Sequence, residues 1–333
     1  MTMRKTITVL GDGGWGTTLS ILLTRKGYEV CLWGVFKDYI EFLKKRRVNS
    51  RFLKGIKIPK EVLITSELGP ALDYAQTIIL AIPSQYLRRV LQKIKGRDLN
   101  DYIFLSVAKG IEQNSLMRMS EVIIEELGAV NLAVLSGPNI AQEIAKGKPA
   151  VSVVASKNRK TARYFQDLSM NESFRVYTND DVIGIELGGS LKNIIALACG
   201  ISDGLSLGTN AKAALLTRGL VEISRLGVAM GARRETFSGV SGLGDLVTTC
   251  TSLYSRNRFV GEQIAKGQRL TSIIKRMQMV AEGVSTTKAA YELSKRYNVE
   301  MPITKEIYRV LYKHKSPQKA VSDLMRRERK PEH

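Results

Sequence analysis

The chain has 333 residues, 44% of them hydrophobic and 25% charged, the balance of an ordinary soluble globular protein with room for two domains. No apolar run approaches the ~18–20 residues that would cross a bilayer, and Cys31, Cys199 and Cys250 are too scattered for a metal or disulfide pattern. The two histidines, His314 and His333, lie near the C-terminus, so acid–base chemistry in the body of the chain falls to Lys, Asp, Glu, Tyr or Cys, and a histidine-ligated catalytic zinc is not expected.

A net charge of +20 draws anions: nucleic acid, acidic lipid or phosphorylated small molecules. The charges are spread thinly apart from Lys44-Lys45-Arg46-Arg47 and Arg326-Arg327-Glu328-Arg329-Lys330. Such clusters read as solvated faces or frayed tails, so nucleic-acid binding is not the expected main role. The first ten residues are too short for a signal-peptide core, and the expected location is cytoplasmic.

In chain order, Thr6–Leu10 is β-branched and apolar, the pattern of a buried parallel strand. Gly11-Asp12-Gly13-Gly14-Trp15-Gly16 follows; residues 17–26 read as a helix closed by Gly27, and 28–33 as a second strand. Strand, G-x-G-x-x-G, helix, strand is the setting of a dinucleotide-binding loop. Its glycines let the backbone turn tightly and approach a pyrophosphate, and the helix start offers unpaired N–H groups to it. An NAD site usually has Asp or Glu at the end of the second strand for the ribose 2′-hydroxyl. Here the first carboxylate is Asp38, expected inside the next helix. Lys37 can instead meet a 2′-phosphate and Phe36 pack on the adenine, or Lys37 is a plain surface lysine, so NAD and NADP both stay open.

Further strands are expected at 62–65 and 77–82, the latter ending in Pro83-Ser84-Gln85 on the ligand side. Residues 102–107 form another, which places Lys109 just past a strand's carboxyl end. Residues 132–135 lead into Ser136-Gly137-Pro138-Asn139 and a helix at 140–146, so that turn presents N–H groups at a helix start. The last strands are 151–155 and 174–177. After about residue 180 strand signals vanish, and helices are expected at 182–202, 210–230, 256–266, 270–279, 285–297, 302–313 and 317–329. The expected fold is an α/β Rossmann-type dinucleotide-binding domain over 1–181 followed by an all-α C-terminal domain over 182–333.

Three stretches of the helical part carry candidate chemistry. Residues 187–202 hold one charge, Lys192, among apolar positions at helical spacing: Leu187, Leu191, Ile194, Ile195 and Ala198. A buried ammonium without a partner costs several kcal/mol or gives up its proton; alternatively the lysine snorkels outward or pairs in a salt bridge. In the stretch 239–250 glycines alternate with apolar residues, which suits closely packed backbone better than a flexible connector. In Ser255-Arg256-Asn257-Arg258, either Arg256 and Asn257 bind a phosphate or Ser255 is an ordinary helix cap.

Together these segments resemble the NAD(P)-dependent glycerol-3-phosphate dehydrogenases of the bacterial cytoplasmic type. The matching stretches are 11–16, 83–85, 109–112, 136–138, 184–200, 208–219, 239–250, 255–258, 280–283 and 301–303, nearly the whole chain. The resemblance implies interconversion of dihydroxyacetone phosphate and sn-glycerol 3-phosphate with NADP or NAD, no metal, supply of glycerophospholipid synthesis, and a homodimer. It implies Lys192 as the catalytic lysine, with Lys109 and Asp245 beside it. It puts Gly137, Asn139, Asn193, Thr249, Ser255, Arg256 and Asn257 with those three at the substrate, Arg256 holding the phosphate. Many members have Ser or Thr where this chain has Asn139. On the cofactor it puts Gly11, Gly13, Gly14, Trp15, Gly16, Phe36, Lys37, Pro83, Lys109, Ala141, Arg256, Val280 and Glu282. Lys109 would lower the Lys192 pKa and Asp245 raise it, and the sequence leaves open which wins.

Two rivals remain. A reductase of hydroxy or keto acids on the same two-domain plan is opposed by the motifs at 239–250 and 255–258. A non-catalytic dinucleotide sensor or nucleic-acid binder would not need Lys192 beside Lys109 and Asp245.

Overall fold

The computed structural model describes residues 5–277, 280–329 and 331–332. Among them, eight strands form one sheet: β1 (Thr6–Leu10), β2 (Glu29–Trp33), β3 (Leu63–Thr65), β4 (Thr77–Leu80), β5 (Ile103–Ser106), β6 (Asn131–Ser136), β7 (Ala150–Ala155) and β8 (Phe174–Asn179). The order is β3-β2-β1-β4-β5-β6-β7-β8. Neighbours run parallel except β6 and β7, which pair antiparallel. The central strands β4 and β5 are buried at every position, as strands covered by helices on both faces must be. Those helices are α1 (Gly14–Arg25), α2 (Lys37–Arg46), α3 (Leu68–Tyr74), α4 (Ser84–Leu91), α5 (Met119–Leu127), α6 (Ala141–Ala145) and α7 (Arg159–Ser169).

The strand order reverses between β1 and β4, and ligands of such sheets bind in the crevice outside that switch point. Gly11 turns the chain there with φ +126°. A Cβ on it would collide with the carbonyl oxygen of Ala81, so both the angle and the space demand glycine.

The chain then becomes helical: α8 (Val182–Gly204), α9 (Gly208–Ala229), α10 (Asp245–Thr251), α11 (Arg256–Ala265), α12 (Leu270–Arg276), α13 (Glu282–Arg296), α14 (Pro302–Tyr312) and α15 (Pro317–Met325). Its axis is α8. Asp181 caps it, accepting from Gly184 N at 2.9 Å, and every residue from 184 to 202 is buried. Each fully buried leucine here, Leu191 for example, contributes ~1.5–3 kcal/mol by leaving water. This helix corrects one expectation. By length and composition it passes for a bilayer span, because glycines and serines break the apolar run without adding charge, but 94% of its most apolar window is buried inside the protein.

Other departures are local. The helix expected from 17 begins at Gly14, inside the glycine loop, and the one expected from 285 begins at Glu282. The stretch 239–250 is no connector: a π-turn at Val240–Gly244 leads straight into α10, and Gly242 lies against the Phe237 backbone. The helix expected over 270–279 ends at Arg276, and 278–279 lie outside the described residues, as do 1–4, Lys330 and His333. The last helix stops at Met325 rather than 329.

Candidate active site

Lys192 faces inward from the middle of α8. It is only 5% exposed, and Asp245, the first residue of α10, is 1% exposed. The lysine does not snorkel. Its Nζ donates to Asp245 Oδ1 and, at 2.7 Å, to Thr249 Oγ1. Thr249 lies one turn beyond Asp245 on the same helix and donates to the Asp245 carbonyl at 2.7 Å. The other carboxylate oxygen, Oδ2, accepts from Lys109 Nζ at 2.7 Å. Lys109 also donates to the Gly137 carbonyl at 2.7 Å, where φ is +146°. Two strand carboxyl ends (β5 for Lys109, β6 for Gly137), the middle of α8 and the start of α10 therefore converge around one carboxylate.

Burial pulls the Lys192 pKa from its ordinary 10.5 down to about 7. Asp245 opposes that fall and Lys109 adds to it by a smaller amount. Of the two charges the sequence set against each other, Asp245 thus acts more strongly than Lys109, and the pKa falls because burial removes Nζ from water.

Next to Lys192, Asn193 Oδ1 accepts from Asn257 Nδ2 at 2.8 Å, and Asn257 Oδ1 accepts from Gly283 N at 2.9 Å. Asn257 so ties α8, α11 and α13 together. Ser255 caps α11, accepting from Arg258 N at 3.3 Å, and Arg258 pairs with Asp203 at 2.6 Å. Arg256, the first residue of α11, makes no hydrogen bond or ion pair among the described residues. It is open to solvent yet ringed by protein, with Glu282 the charge acting on it. A guanidinium so placed has donors that can meet an oxyanion.

At the sheet edge, Gly13 stands as the N-cap of α1, with no side-chain cap and no acid in the first turn. A Cβ at Gly13 would meet nothing within 4 Å, so the loop opens onto space beside free N–H groups. Trp15 Nε1 and Asn139 Nδ2 are buried without partners. Phe36 and Lys37, both exposed, follow β2; Pro83 follows β4; Lys109 follows β5; Ala141 follows β6. All of these stand at the carboxyl edge of the sheet. From the helical side Glu282 reaches the same edge, accepting from Ser84 N at 2.9 Å and Ser84 Oγ at 2.5 Å. Burial raises the Glu282 pKa against the pull of Ser84 and Arg256. Val280 is half-buried just before α13. These orphaned donors and the open loop fit a dinucleotide.

Two positioning residues escaped the sequence analysis. Asn49 is fully buried and donates to Asp12 O at 2.8 Å and Thr17 Oγ1 at 2.7 Å, pinning the glycine loop. Ser152 donates to Asn139 Oδ1 at 2.5 Å. Neither belongs to a motif, and each acts on a residue distant in sequence, so no local signal marks them. Among the described residues no group of three or more His, Cys, Asp or Glu could hold a metal ion.

A dinucleotide-type loop at a sheet switch point, facing a helical part that supplies a buried lysine on a carboxylate, defines a nicotinamide-dependent oxidoreductase. The comparisons narrow the class. Residues 6–162 match the family model "NAD-dependent glycerol-3-phosphate dehydrogenase N-terminus", and 181–322 match its C-terminus. The chain belongs to the NAD-dependent glycerol-3-phosphate dehydrogenase family. It is 49% identical to a glycerol-3-phosphate dehydrogenase [NAD(P)+] of Prosthecochloris aestuarii over 98% of this chain and 99% of that one. A relative of the same name from Thermoanaerobacter sp. is 49% identical, with 98% of each chain covered. The crystal structure of glycerol-3-phosphate dehydrogenase from Coxiella burnetii superposes with a TM-score of 0.95 at 37% identity, over 98% of this chain and 100% of that one.

Proposed function

We propose that this chain reduces dihydroxyacetone phosphate to sn-glycerol 3-phosphate, reversibly, with NADH or NADPH, and so supplies glycerophospholipid synthesis. The observation that carries it is the buried Lys192, held on Asp245 with a pKa near neutrality, at the edge where the glycine loop opens. A bound nicotinamide supplies the hydride to the carbonyl carbon. Lys192 holds a proton at Nζ and gives it to the carbonyl oxygen as negative charge grows there. Asp245 orients that Nζ from Oδ1 and positions Lys109 from Oδ2, so a second ammonium faces the developing charge. Arg256 takes the substrate phosphate, and its immobilisation sets the carbonyl against the hydride donor. Asn193 and Asn257 hold the two walls in register, and the free amide of Asn139 is a donor for a substrate or cofactor oxygen. Gly137, Thr249 and Ser255 act through the backbone carbonyl, hydroxyl and cap just described.

Three wider assignments go with this reading. The domain division falls at 181/182, where Asp181 begins α8. Three free cysteines suit a reducing, cytoplasmic compartment. A homodimer suits α9, which leaves Leu215, Leu216 and Leu220 half-covered.

Initial rates with dihydroxyacetone phosphate and each cofactor, read by nicotinamide absorbance across pH, test the reading. Lys192 is protonated below its folded pKa of about 7 and neutral above it. Reduction, which needs the acid, should fall as pH rises through 7, and glycerol 3-phosphate oxidation, which needs the base, should rise over the same window. Absence of turnover with both cofactors overturns the function, and profiles flat through neutrality overturn the role of Lys192.

A further inference from the structure

β2 ends at Trp33, and the position after it, Gly34, has no side chain to meet a ribose. The structure fills that place from elsewhere. A Cβ on Gly34 would stand 2.6 Å from Asp12 Cγ and 2.8 Å from Asp12 Oδ1. The carboxylate of Asp12, the second residue of the glycine loop, thus occupies the volume into which a side chain at the end of β2 would project. The loop is tied to that strand end by Gly11 N donating to Trp33 O at 2.9 Å. Asn49 and Thr17 both donate to the Asp12 main-chain oxygen and so fix the backbone of this residue.

This carboxylate accepts from its own backbone N–H and from no other residue among the described residues. Asp12 is 9% exposed, its Oδ2 is buried without a partner, and neither oxygen takes a hydrogen bond from another side chain among the described residues. An unsatisfied buried acceptor costs about 1–3 kcal/mol, so its presence points to a donor that arrives from outside. The charge acting on it is Arg51, which lies over the Tyr39 ring at 4.1 Å. Asp38, the first acid in the sequence after β2, points to solvent from α2 and does not share this place.

We propose that Asp12 is the ribose-reading acid of this chain: its carboxylate accepts from the hydroxyls of the adenosine ribose and repels a 2′-phosphate, so the chain prefers NAD(H) to NADP(H). The proposal deepens the cofactor reading above and rests on it. The acid has moved from the end of β2 to the glycine loop, and a Cβ at Gly34 would stand 2.6 Å from both the Asp12 carboxyl carbon and Ile40 Cδ1.

Fluorescence titration of the purified protein with NADH and with NADPH, without substrate, reads the two dissociation constants. Wild type should bind NADH the more tightly. Asp12→Ala should weaken NADH about tenfold, the scale of one lost charge-assisted hydrogen bond, while NADPH binding holds or improves. Asp12→Asn keeps the shape and removes the charge, and should lose discrimination against NADPH. The double variant Asp12→Ala/Gly34→Asp returns an acid to the end of β2 and should restore the preference. Thermal midpoints of all variants report folding separately. An unchanged NADPH-to-NADH ratio in both Asp12 variants overturns the proposal, as does equal loss of both cofactors with a lowered midpoint, or a wild-type preference for NADPH. Failure of wild type to bind either cofactor overturns the cofactor reading itself, a different result.

Discussion

Replacing Lys192 with alanine should lower turnover by ~10²–10⁴, the range for loss of a positioned general acid, with cofactor affinity unchanged. The size follows from the lack of a substitute. Histidine is absent from this region, and Lys109 is already committed to Asp245 Oδ2 and the Gly137 carbonyl. Folding should survive, because Asp245 keeps Lys109 as a partner and is not left as a lone buried charge. Steady-state kinetics beside a fluorescence titration with NADH separate the outcomes: near-normal turnover removes Lys192 from the chemistry, and loss of cofactor binding shows a structural role instead.

Replacing Arg256 with alanine should raise KM for dihydroxyacetone phosphate roughly 10–100-fold and lower kcat much less, since a charge-assisted contact of about 1.5–3 kcal/mol acts in ground and transition states alike. Arg256 makes no hydrogen bond or ion pair among the described residues; Glu282 loses its attraction but keeps both bonds from Ser84, and the cap at Ser255 and the Asn193–Asn257 tie remain. Dihydroxyacetone without its phosphate provides the control. Its slow reduction should be indifferent to the substitution, and an unchanged KM for the phosphorylated substrate takes Arg256 out of phosphate binding.

Much of the architecture was legible because it is written in local patterns. Apolar β-branched runs marked the strands of the sheet to within a residue or two, and the spacing of Gly11, Gly13 and Gly16 marked the turn after β1. The boundaries that slipped are those where glycine hides helical backbone, as at Gly14, or where no cap announces a start, as at Glu282. The antiparallel pairing of β7 on β6 left no trace, since parallel and antiparallel buried strands share the same apolar run. The last helices and α8 showed themselves by period, and the single charge among the apolar residues of 187–202 already marked α8 as buried.

By itself the sequence determined that a dinucleotide loop precedes a helical half and that one lysine sits in an otherwise uncharged helix, because glycine spacing and helical period are properties of neighbours along the chain. Tertiary structure alone decided what that lysine is. Its partner Asp245 lies 53 residues away, and Asp245 meets Lys109 across 136. The depth at which those three groups meet, more than their charges, brings the Lys192 pKa to about 7. Asp12 likewise reads as one more loop residue until folding sets its carboxylate against Gly34. Burial and the distance between charges depend on which remote segments pack together, and no local pattern carries that information.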